Sequence, residues 1–258
     1  MAITGRLVTF VAGMALGLLG GGGSLLVIPA LVYGFGRTPL EATTYSLLVV
    51  GSVSIVGAAV RHSMVRLPVR RIASFGVTSV LAAFLVRAAV VPRLSEAIAI
   101  GPVSLERDLV LMLVFAAFAG TAGVMMLREN CCVSGPSVSR CWVPLAGAAT
   151  GALTGLLGIG GAFLILPALV LLVGLDMDEA VGASLTLVAA QSAAGVAGAI
   201  PTLGALNRSL VVTLVVTMLA GLAVGQAAGR RIAPDRLRRG FGMLTLGVAL
   251  ATAIQQIL

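Results

Sequence analysis

The groups in this chain best placed to do chemistry are backbone amides, gathered in two glycine clusters. Gly20-Gly21-Gly22-Gly23 leads into Ser24 and, six residues after Gly23, Pro29; Gly158-Ile159-Gly160-Gly161 leads into Ala162 and reaches Pro167 at the same spacing. Both clusters lie inside apolar runs, where consecutive glycines cost helix stability and open the backbone. In a bilayer an opened backbone persists only where protein buries it or where it lines a wet cavity. A helix restarting after such a break presents unpaired N–H groups and the positive end of its dipole, which together bind an anion without any charged side chain. The plainer alternative is that the glycines only let helices pack closely. Two clusters at matching positions favour the site-forming reading.

Hydroxyls and an amide follow each cluster. Thr43, Thr44 and Ser46 come after the first; Ser184, Thr186, Gln191 and Ser192 come after the second. Such groups hydrogen-bond an oxyanion, although Ser and Thr in membrane helices more often bond their own backbone or a neighbouring helix. The candidate substrate-binding set is therefore Gly20, Gly22, Gly23, Ser24, Thr44, Ser46, Gly158, Gly160, Gly161, Ser184, Gln191 and Ser192. Glu41 and Glu179 invite a proton-coupling role, but each sits in a helix-start box: Thr38-Pro39-Leu40-Glu41 and Asp176-Met177-Asp178-Glu179. Capping accounts for them better. Arg87, about 18 residues beyond Arg70, is expected to snorkel from the far end of its helix. His62 stands beside Arg61 with no readable nucleophile or carboxylate partner. Cys131, Cys132 and Cys141 share one polar connection without a CxxC pair or nearby histidine, so no metal, cofactor or catalytic residue is expected.

The elements that must carry these residues are membrane helices. The chain of 258 residues is 59% hydrophobic and 10% charged, against about 25% charged in soluble domains. Its net charge of +8 comes from arginines in short connections between apolar runs, a placement that fits the positive-inside rule and not nucleic-acid binding. Apolar segments fall near Leu7–Phe35, Glu41–Val60, Val69–Val91, Leu109–Leu127, Trp142–Gly174, Glu179–Ile200, Leu210–Ala228 and Phe241–Leu258. Most approach the ~20 residues of a spanning helix. The opening stretch has the look of a signal peptide, but its pattern returns at Leu145–Pro167, so it is read as a retained segment.

A shift of 138 residues aligns Gly13–Val50 with Gly151–Val188 without a gap, identical at 18 of 38 positions. The same offset pairs Ser54 with Ser192 and Gly57 with Gly195. The sequence therefore divides into a first half, 1–127, a polar linker, 128–141, and a homologous second half, 142–258. Equivalent loops carry opposite arginine bias. Arg61, Arg66, Arg70 and Arg71 follow segment two, whereas its counterpart holds only Arg208. This predicts an all-α protein of inverted repeats, with segments one and five broken or re-entrant at their glycines, the termini outside and the linker cytoplasmic. The half-helices Leu7–Leu19 and Ser24–Phe35 would each be about 18 Å long, with the two breaks meeting at the midplane.

The doubled Gly-x-Gly-Gly-x5-Pro pattern, the Glu-Ala-x3-Ser stretches at Glu41–Ser46 and Glu179–Ser184, and the duplicated four-segment halves resemble the sulfite exporter TauE/SafE-like family, also known as toluene-sulfonate uptake permeases. The resemblance covers nearly the whole chain. It implies an inner-membrane permease for small sulfur-containing or organic anions, sulfite or organosulfonates. Carriage by alternating access around a central site is the leading expectation, a passive anion channel of similar fold the second; a membrane enzyme or assembly factor finds no motif. The partners are then a small anionic substrate and the bilayer, with no oligomeric state indicated. The second copy departs at Ile159 and Ala162, where the first has Gly21 and Ser24.

Overall fold

The apolar segments fold as helices, and glycines set where several of them stop. The computed structural model describes residues 2–21, 23–62, 69–90, 97–100, 103–106, 116–117, 120–121, 123–127, 142–157, 162–198, 206–229 and 231–257. Helix α1 (Ala2–Leu19) ends at the first glycine cluster, and α2 (Ser24–Pro29) begins beyond it. Pro29 has no N–H for the carbonyl four residues back, and the helix continues as a wider π turn, Ala30–Gly34. The chain then enters α3 (Pro39–His62), followed by α4 (Val69–Leu85) and a second π turn, Val86–Val90.

The second half repeats the order with α5 (Trp142–Leu157), α6 (Ala162–Ala168) and its π turn Leu169–Val173, α7 (Met177–Gly198) and α8 (Arg208–Gly229); α9 (Pro234–Ile257) closes the chain. The two copies share local detail. Gly36 and Gly174 both take positive φ, 64° and 72°, and the amides of Arg37 and Leu175 donate back to Leu31 and Leu169 at 3.2 and 3.1 Å. These are helix stops of the Schellman type, which favour glycine because a Cβ is strained there.

Among the described residues, four stretches are long and apolar enough to cross a bilayer: Glu41–His62, Ile72–Val90, Met177–Gly198 and Arg208–Gly229. The all-α expectation meets one exception among the described residues, an antiparallel hairpin of β1 (Ala97–Ile100) and β2 (Val103–Glu106), with Ala97 opposite Glu106. Gly101-Pro102 interrupts any helix there, and the β-branched Ile98, Ile100 and Val103 suit extended chain. Helix α1 is also longer than expected: its 18 residues span about 27 Å. The linker 128–141 lies outside the described residues.

Glycine contacts give the direction of each helix pair. Gly13 and Gly17 of α1 press on the Met218 and Leu222 carbonyls of α8, while Gly221 and Gly225 press on Phe10 and Met14, so α1 and α8 run parallel. The equivalent pair behaves alike: Gly147, Gly151 and Gly155 of α5 lie on Phe75, Ser79 and Ala83 of α4. Small residues one turn apart allow these backbones to touch. The central helices α3 and α7 run the opposite way to each other, since Leu47 faces Gly195, Gly51 faces Ser192 and Leu185 faces Gly57. Phe35 and Gly34 lie against Gly5, so the chain returns after α2 to the level where α1 began.

The core runs along α3 and α7 and includes Val49, Val50, Val53, Ala180, Val181, Leu185 and Val188. The peripheral helices turn apolar side chains outward, Val77, Leu81 and Leu85 on α4 and Val212, Val216 and Val224 on α8. Such a surface belongs in lipid. An apolar groove of about 700 Å³ between α4 and α7, lined by Ile72, Gly76, Val80, Phe84, Leu187 and Ala194, opens on this face. Its polar side chains are His62 and Thr186, and the Thr186 hydroxyl is spent on the Gly182 carbonyl.

Candidate functional site

The crossing of α3 and α7 gathers buried polar groups that have not found partners. Gly51 meets the Ser192 side chain there, near the middle of α3. Ser54, one turn further along the same face, and Ser192 are related by the 138-residue repeat; both are buried and neither hydroxyl has a hydrogen-bond partner. Gln191, the residue before Ser192 and turned from it toward α4, is fully buried. Its Nε2 donates to the Ser79 hydroxyl of α4, and its Oε1 has no partner. Buried polar atoms are satisfied in the great majority of cases, so three unsatisfied ones on this pair of helices call for an explanation.

The first glycine break stands to one side of this crossing. Gly20 takes φ +66°, its N–H still closes α1 onto the Leu16 carbonyl at 2.8 Å, and its own carbonyl accepts from the Ser184 hydroxyl at 2.9 Å. Ser184 also reaches the Val181 carbonyl at 2.9 Å. Ser184 precedes Gln191 by seven residues, about 10 Å along α7, so this break lies to one side of the Gly51–Ser192 contact. Gly23 is helical in conformation and packs on Ala12 and Leu16. Ser24 opens α2. Gly22, Gly158, Gly160 and Gly161 lie outside the described residues.

A second polar cluster occupies the other end of α3. Thr44 is buried and accepts a 2.9 Å bond from Arg87 Nη2, which also donates to the Thr43 hydroxyl at 3.1 Å. Ser46, fully buried, has an unpartnered hydroxyl. The expected snorkelling of Arg87 is therefore wrong: the side chain is 4% exposed and turned into the protein. The local reason is Gly198 of α7, whose missing side chain leaves space beside the Arg87 stem; a Cβ there would stand 3.3 Å from Arg87 Cβ. Sequence reading missed Arg87 as a site residue. The signal available was its repeat partner, Gly225, which shows that the position does not need an arginine to build a half.

Glu41 is a helix-start residue. Its N–H is capped by the Thr38 hydroxyl at 3.3 Å, and its exposed carboxylate lies 3.8 Å from Arg37. Asp178, at the start of α7, reaches Arg61 at the end of α3 at 3.5 Å, as antiparallel neighbours must. Among the described residues no group of three or more His, Cys, Asp or Glu is arranged to hold a metal.

Apolar spanning helices packed through glycines, with polar groups enclosed along their central pair, define a multi-pass membrane protein. Residues 6–252 match the family described as sulfite exporter TauE/SafE, and the chain belongs to that family. Two curated relatives, both named "Probable membrane transporter protein", come from Xylella fastidiosa strains Temecula1 and 9a5c. Each is 32% identical over 206 residues, 77% of this chain and 72% of the relative. No solved structure matches the chain. Membrane transport is thus the work of its family.

Proposed function

We propose that this chain is a carrier of small anions, sulfite or organosulfonates among them, that works by alternating access between two inverted halves in the cytoplasmic membrane. The observation that carries the reading is the set of unsatisfied buried groups on the central helix pair, Ser54 on α3 and Gln191 and Ser192 on α7. A substrate oxyanion would accept from those hydroxyls and from the Gln191 amide, whose N and O ends exchange on a flip. The crossing is closed in this structure by the contact of Gly51 with Ser192. Substrate entry requires α3 and α7 to part.

The antiparallel α3–α7 pair supports inversion, because these helices are repeat equivalents and a rotation that reverses one into the other reverses the halves. The return of Gly34 and Phe35 to Gly5 supports a re-entrant first segment. On this reading the breaks at Gly20, Gly22, Gly23 and Ser24 and at Gly158, Gly160 and Gly161 serve as hinges for the two halves. Ser184 fastens the first of these breaks, and Ser46 and Thr44 face the other side. The arginine bias orients the linker 128–141 toward the cytoplasm. A carrier with such a site needs no catalytic residue and no cofactor.

The test is uptake of labelled sulfite and a panel of sulfonates into vesicles holding the purified chain, with and without a pH gradient. Saturable uptake that falls in Ser192→Ala and Gln191→Leu supports the reading. Absence of uptake of every anion tried refutes it, and turnover far above ~10³ s⁻¹ assigns a channel instead, since a carrier must change conformation in each cycle.

A further inference from the structure

We propose that Arg87, with Thr43, Thr44 and Ser46, forms an oxyanion-binding subsite present in the first half alone. The proposal rests on the reading of the chain as an anion carrier and locates where the substrate's charge is recognised.

A guanidinium is charged at neutral pH and presents donors in a planar fork. Arg87 is almost completely buried, spends Nη2 on two neutral hydroxyls, and leaves Nη1 enclosed without a partner. Among the described residues no carboxylate pairs with it. A buried cation lacking a counter-charge is costly, and an arginine serving only to tie α4 to α3 would leave this cost unanswered. A bound oxyanion answers it, since it supplies the charge and accepts two parallel N–H bonds. Ser46 stands one turn from Thr43 on the same face of α3, and its unpartnered hydroxyl adds a further donor.

The second half has no such set. The 138-residue offset puts Gly225 at the place of Arg87, Val181 at Thr43 and Gly182 at Thr44. Only Ser184 keeps its hydroxyl, and that is committed to the Gly20 and Val181 carbonyls. The scaffold therefore forms without the charged cluster, and the cluster marks one side of the crossing as the side that selects anions. The geometry suits a trigonal or tetrahedral oxyanion, such as sulfite or a sulfonate head group. A halide gains little from a planar fork.

The test uses the full-length purified chain and two readouts, sulfite-dependent thermal unfolding and the KM for labelled sulfite uptake. In the wild type the unfolding midpoint should rise with sulfite and methanesulfonate and stay put with equal chloride. Arg87→Met should abolish the rise, and Arg87→Lys should restore part of it with a KM raised about tenfold or more. A merely structural arginine would instead lower the midpoint without sulfite while keeping the sulfite-induced rise, and that result overturns the proposal. If Arg87→Met does not fold, the near-isosteric Thr43→Val/Thr44→Val pair decides: an unchanged KM and an unchanged rise refute the subsite. Should the wild type move no anion, the carrier reading fails separately, and the rise with sulfite still judges the subsite.

Discussion

Replacing Gly20 by alanine separates a broken first segment from a continuous one by the sign of the effect. In an unbroken helix interior, Gly→Ala stabilises by up to about 1 kcal/mol. Here Gly20 has φ +66°, a left-handed conformation that costs an L-residue about 1–2 kcal/mol. A Cβ would also stand 2.6 Å from the Ser184 hydroxyl and 2.7 Å from the Val181 carbonyl, closer than such atoms approach. The hydroxyl must swing away, and its bond to the Gly20 carbonyl goes with it, a further loss of roughly 1 kcal/mol. The expected cost is about 2–3 kcal/mol, while Ser184→Ala, which loses only the hydrogen bond, should cost about 1 kcal/mol. Thermal unfolding of the detergent-solubilised chain ranks wild type above Ser184→Ala above Gly20→Ala. A Gly20→Ala chain as stable as the wild type, or more so, would show that the segment does not turn left-handed at this residue.

The hydroxyls at the crossing should show the reverse trade. Ser54→Ala and Ser192→Ala remove buried hydroxyls that lack partners, so stability should hold or rise by up to about 2 kcal/mol while sulfite uptake falls; loss of stability without loss of uptake would contradict the site. Thr38→Ala removes the cap on α3 and should cost about 1 kcal/mol, read as a lower unfolding midpoint. Asp178→Asn breaks an ion pair whose acid is mostly exposed, and a change beyond ~1 kcal/mol would mean that the pair does more than join two helix ends. All three cysteines lie at 131, 132 and 141, so a membrane-impermeant maleimide should label inside-out vesicles and spare right-side-out ones; the opposite pattern would reverse the orientation.

Much of the architecture could be read from spacing because membrane folds repeat their rules locally. The 138-residue offset named helices that do prove to have matching surroundings: Gly13 and Gly17 touch α8 as Gly151 and Gly155 touch α4. The helix start at Thr38 was equally legible, since a cap depends on a few neighbouring residues, whereas the paired left-handed stops at Gly36 and Gly174 were not read. The hairpin at 97–106 was not read, although Gly101-Pro102 marks it, because an eight-segment count left that stretch as mere connection.

Sequence alone determined that the chain lives in a membrane, that it is duplicated, and where its helices must stop, because hydropathy, repetition and backbone conformation are properties of short stretches. Only the tertiary structure decided which polar groups share a place. Ser184 is 164 residues from the Gly20 carbonyl it holds, and Arg87 is 43 from the Thr44 hydroxyl it meets, and no periodicity carries information over such distances. Whether a buried hydroxyl is spent or idle depends on what the opposing helix places against it. That is settled by packing, which is why Ser46 and Ser184 read alike in the sequence and behave differently in the fold.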